Sequence, residues 1–96
     1  MEFNLFYEMG YCWLEAELKD IFDLKIQDDI TPQSRIEGRK VFLDLDFDAR
    51  LFLEKMRYRY PKIRFQIKHD EFGFKAISDK EKYTKDMAEY KLKTFF

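Results

Sequence analysis

Three aspartates at alternate positions, Asp44-Leu45-Asp46-Phe47-Asp48, come nearest to chemistry among the 96 residues of this chain. Carboxylates at i, i+2 and i+4 of a strand share one face, where they could hold a hard cation such as Mg²⁺. A metal-dependent activity at Asp44 and Asp46 is the enzymatic alternative this spacing raises. A calcium loop counted from Asp44 begins correctly and then fails. Ala49 stands where the loop needs Gly, Lys55 stands where it needs a bidentate Glu, and Glu54 comes one residue early. A helix cap with two solvated strand carboxylates is the better account of Asp44, Asp46 and Asp48.

Cys12 near a helix start could act as a nucleophile if its pKa were lowered. Its base would have to be His69, the only histidine, and nothing in the sequence brings the two together. A small apolar side chain explains Cys12 better. With no Gly-rich phosphate loop, zinc spacing or nucleophile elbow in the chain, no catalytic residue and no cofactor are expected.

Recognition chemistry is more visible. Arg50, Lys55, Arg57, Arg59, Lys62, Arg64 and Lys68 are interleaved with Tyr58, Tyr60 and Phe65. Cations for phosphates beside rings for bases are what single-stranded RNA binding requires, which makes stretch 50–68 a candidate nucleic-acid module. The chain is slightly acidic overall, however, and carries no RNP-like Gly-aromatic motif. A protein partner with an acidic surface is therefore the leading expectation. Its contacts would be Arg50, Leu51, Lys55, Arg57 and Tyr58 on one helix face, with Arg64 and Lys68 on the next strand. Trp13, off the apolar stripe of an earlier helix and near Glu17 and Asp20, is a further anchor candidate, because Trp, Tyr and Arg are preferred at binding hot spots. Against that, Trp13 could simply broaden a buried face.

The elements that would position these groups follow from periodicity. Asp46 or Asp48 caps a helix that ends at Tyr60, because Pro61 cannot donate and displaces the residue before it. At about 100° per residue, Ala49, Phe52, Leu53, Met56 and Tyr60 share its buried side. Ile63, Phe65 and Ile67 then alternate with Lys62, Arg64, Gln66 and Lys68, predicting a half-buried strand with a basic outer face. Upstream, residues 3–9 read as a strand ending at Gly10. Tyr11, Leu14, Leu18, Ile21 and Phe22 predict a helix over 11–22, followed by strands over 24–30 and 40–45. Downstream, residues 69–73 read as a tight turn and 74–77 as a returning strand. Ser78-x-x-Glu81 predicts a capping box before a last helix carrying Tyr83, Met87 and Tyr90, and residues 90–96 fit helix or strand.

Through residue 69 the order is β-α-β-β-α-β, as in ferredoxin-like folds. The expectation is a single α+β domain over residues 1–96 with a C-terminal hairpin strand and helix. Eleven Phe, six Tyr and one Trp supply apolar area for one core. A lone cysteine, no signal-like start and no long apolar run point to a cytoplasmic setting without a membrane. The net charge of −1 hides a division, since most acids precede Asp48 and most cations follow it. Such asymmetry suggests a charged partner, unless the halves interleave in space. The expected function is a small non-catalytic protein-binding regulator or inhibitor. The composition also suits a phage or mobile-element protein, and an open strand edge would permit a homodimer.

Overall fold

Apolar residues alternating in both halves of the chain meet in one mixed sheet. The computed structural model describes residues 1–8, 10–68 and 76–95. Its strands are β1 (Glu2–Glu8), β2 (Tyr11–Glu17), β3 (Arg35–Glu37), β4 (Lys40–Asp44), β5 (Arg64–Lys68) and β6 (Glu81–Lys82). Its helices are α1 (Leu18–Asp23), α2 (Asp48–Arg59) and α3 (Lys85–Phe95), with a 3-10 turn at Ile77–Asp79. The result is a compact α+β domain. Strand order is β5-β1-β2-β4-β3-β6, so the ferredoxin-like order expected above is not the one found. β1–β2 and β3–β4 are antiparallel pairs, whereas β5 runs parallel to β1. Because β4 is antiparallel to β2, β4 and β5 point the same way, and α2 is the crossover that parallel strands require.

Residues 11–22 are the main correction. Tyr11–Glu17 is a strand, and only Leu18–Asp23 is helical. Leu14, Ala16 and Leu18 face the helices, while Trp13 serves a second apolar cluster on the opposite sheet face. A strand buried on both sides loses its clean alternation, and its apolar spacing then imitates a helix. Leu24–Ile30 is not a strand either. Ile26 and Ile30 are buried from turns, and Lys25 takes φ +59° to close α1, with its N–H and that of Ile26 donating back to Phe22 and Ile21.

The main core joins Phe3, Leu14, Val41 and Leu43 of the sheet to Ala49, Phe52 and Met56 of α2, with the Phe3 and Phe52 rings edge to face at 5.4 Å. That is the predicted buried side of α2, except that Leu53 is half-buried and Tyr60 exposed. The back cluster of Phe6, Trp13, Phe42 and Ile77 is closed by the 3-10 turn. The buried Glu8 carboxylate holds that turn, accepting from the N–H groups of Ile77 (2.6 Å) and Ser78 (3.0 Å). Ser78 and Glu81 therefore form no capping box. The last helix is instead capped by Thr84, whose hydroxyl accepts from the Met87 N–H, and it continues through residue 95. Of the expected 69–73 turn and 74–77 strand, 69–75 lie outside the described residues; Ala76 is extended but unpaired, and Ile77 is in the 3-10 turn.

The long connection from α1 to β3 is tied down by Asp48. Its carboxylate, 2% exposed, accepts from the Thr31 N–H (3.1 Å), the Thr31 hydroxyl (2.8 Å) and the Ser34 hydroxyl (2.5 Å). Ser34 Oγ in turn accepts from the Asp44 N–H at 2.9 Å, and Tyr83 N–H donates to the Ser34 carbonyl. Removing the acceptor strands buried donors, so Asp48→Ala is expected to lower stability by about 3 kcal/mol, against less than about 0.5 kcal/mol for exposed Asp46→Ala. Urea unfolding midpoints at unchanged slope measure both.

Candidate protein-interaction face

α2 presents its outer side because its inner side is committed to the core. Arg50, Lys55, Arg57 and Tyr58 are all exposed, and Tyr58 at 85% is the most exposed large apolar residue described. Leu51 differs from its expected role: it is half-buried and packs against the core. Leu53 is also half-buried but lines a shallow depression of about 380 Å³ with Arg50, Glu54 and Arg57. A neighbouring depression of about 260 Å³ is lined by Glu54, Arg57 and Tyr58. Phe47, 69% exposed, sits at the helix N-cap, eleven residues before Tyr58. At 100° per residue that spacing places the two rings on nearly one line along the helix, roughly 16 Å apart. Phe47 was not among the expected contacts. Its signal was an aromatic residue between two aspartates, where a core position would be hard to sustain.

The electrostatics separate these cations from others in the fold. Lys40 pairs with Glu15 and Glu17, Lys80 with Glu37, and Lys85 with Asp28. Arg59 donates to the Asp23 carbonyl. Arg50, Lys55 and Arg57 make no ion pair or hydrogen bond with a described residue, even though Glu54 lies one turn from both arginines. Their charge faces solvent.

The basic stretch does not form one surface. Phe65 and Ile67 pair in register with Phe3 and Leu5, on the helix side, which turns Arg64, Gln66 and Lys68 to the back of the sheet. Helix and strand cations thus stand on opposite sides of β5. A continuous groove of cations and rings over 50–68, as single-stranded RNA would use, is not assembled by this arrangement.

Trp13 is not the exposed anchor expected above. At 3% exposure it lies in the back cluster, with the Tyr11 ring stacked on it at 6.0 Å and the Arg35 guanidinium 5.6 Å from its ring centre. Arg35 is fixed there by donating to the carbonyls of Pro32 (3.0 Å), Gln33 (2.8 Å) and Ser78 (3.2 Å). Trp13 is part of the packing, and its indole N–H has no acceptor among the described residues.

The aspartates do not converge. Asp48 turns inward to Thr31 and Ser34, and Asp46 is exposed. Burial raises the Asp44 pKa, and nearby Asp46 and Asp48 add to the rise, while the N–H groups of Phe47 and Asp46 oppose it. Among the described residues no three His, Cys, Asp or Glu side chains are grouped to hold a metal ion. Partial burial likewise raises the Cys12 thiol pKa, away from a reactive thiolate, despite hydrogen bonds involving Tyr7 and Trp13. His69 lies outside the described residues. No helix among the described residues is long and apolar enough to cross a membrane. Compared with known proteins, the chain matches no family model, no curated protein and no solved structure.

Exposed side chains and packed ones respond differently to truncation. Tyr58→Ala with Arg57→Glu is expected to change stability by less than about 0.5 kcal/mol, whereas Trp13→Ala costs about 4 kcal/mol. Denaturant titrations of the two variants check the division.

Proposed function

We propose that this protein is a non-catalytic regulator or inhibitor that binds an acidic surface of another protein through the outer face of α2. The observation that carries this reading is the set Arg50, Lys55 and Arg57, unpaired among the described residues and flanked by the exposed rings of Tyr58 and Phe47. Arginines and aromatic rings with little self-satisfying contact are the usual composition of a binding hot spot. The unpaired cations would steer an acidic partner during encounter, and the rings would supply apolar contact once it is docked. Occlusion of the partner's acidic surface is the mechanism that follows.

The test is affinity capture from native host extract after nuclease treatment, using the wild-type chain and the Arg57→Glu/Tyr58→Ala double variant. A partner retained by the wild type should fall about tenfold or more with the variant, as loss of a charged hot spot predicts. Equal retention by both chains would overturn the α2 face. Loss of every association on nuclease treatment would overturn protein binding in favour of RNA.

A further inference from the structure

The β5 strand carries a second recognition feature, independent of α2. Among the described residues it is an edge of the sheet, and its length distinguishes it from the opposite edge, the two-residue β6. The Arg64 N–H donates to the Met1 carbonyl at 2.8 Å, so Arg64 turns its backbone toward β1. Successive N–H groups of an extended strand point to opposite edges, and the backbone groups of Phe65 and Ile67 therefore point outward. Those two residues also leave much apolar surface exposed, 42% for Phe65 and 56% for Ile67. Sheet edges of this kind are normally shielded by shortness, inward charge or a covering element, because they template pairing with another chain.

We infer that β5 is a docking edge for an extended segment of another protein in which acidic and apolar residues alternate. Addition of such a strand would satisfy the outward N–H and C=O groups of Phe65 and Ile67. Its apolar side chains would lie beside Phe65 and Ile67 on the helix side of the sheet. Its acidic side chains would lie beside Arg64 and Lys68 on the back, where neither cation has an ion pair with a described residue. Glu2, opposite Arg64 in register, does not form one. The same charges disfavour a second copy of this chain in two of the registers open to it. A two-fold antiparallel pairing centred on Gln66 sets Arg64 against Lys68, and one centred on Phe65 sets Lys62 against Lys68; like charges directly opposite are destabilising.

The test uses the full chain and a short fluorescein-labelled peptide of alternating Glu and Val, followed by fluorescence anisotropy. The peptide should bind, and a Lys–Val counterpart should bind about tenfold more weakly or not at all. Ile67→Pro removes an outward N–H without touching the ladder to β1, a position where edge strands tolerate proline, and it should abolish binding while the circular dichroism spectrum is retained. N-methylating the peptide along one edge should have the same effect with the protein unaltered. Equal binding of the acidic and basic peptides, or undiminished binding of the N-methylated one, would overturn the inference. So would a dimer by sedimentation that Ile67→Pro dissolves and the peptide cannot displace. Arg57→Glu/Tyr58→Ala should leave peptide binding unchanged, which separates failure here from failure of the α2 reading.

Discussion

A buried carboxylate with three hydrogen-bond donors around it is the constraint on which this architecture rests. Asp48 opens α2, yet its side chain faces away from that helix's own free N–H groups and toward Thr31 and Ser34. The segment between α1 and β3 has no regular structure to satisfy its backbone. Without an anchor it would lose Ile26 and Ile30 from the core. Asp48 supplies that anchor at the point where α2 begins, and Ser34 relays it to the Asp44 N–H at the end of β4. Tyr83 adds a second tie, donating its N–H to the Ser34 carbonyl and its hydroxyl to the Gln27 carbonyl. One carboxylate thereby couples a loop, a strand end, a helix start and the approach to α3.

This arrangement bears on function through what it leaves unused. Several acids of the first half are occupied within the fold: Glu8 holds the 3-10 turn, Glu15 and Glu17 hold Lys40, Asp28 pairs with Lys85, Glu37 with Lys80, and Asp48 holds the loop. Arg50, Lys55 and Arg57 of α2 have no such employment among the described residues, whereas Arg59 is tied to the Asp23 carbonyl. The charge division along the chain therefore survives folding in Arg50, Lys55 and Arg57, unpaired among the described residues, although the sheet separates them from Arg64 and Lys68.

How much of this was legible depended on how many sides of each element are buried. α2 could be read closely, because it has one buried side, an ordinary 3.6-residue period and Pro61 to stop it. β4 was also clear. β2 was not, since Trp13 packs on one face of the sheet and Leu14 and Ala16 on the other, which erases the period-two signal. Residues 24–30 alternate weakly because a pinned loop can bury Ile26 and Ile30 without being a strand. Three-residue β3 is too short to produce a pattern. The alternation of β5 was read correctly, but its burial was not, since sequence does not show that a strand lies at a sheet edge. For the candidate site, Arg50, Lys55, Arg57 and Tyr58 were legible as an outward helix face. Phe47 was missed because exposure of an aromatic residue beside a helix cap depends on the preceding chain direction, and Trp13 was misplaced along with its strand.

Asp48 and Ser34 convert an irregular connection into a rigid part of the core. Native-state hydrogen exchange at the Thr31 and Asp44 amides addresses it directly, because these N–H groups donate to Asp48 and Ser34. Their protection should approach that of the β1–β2 ladder, with opening free energies near the global value. Exchange of both amides at the rate of an unprotected surface loop would contradict it.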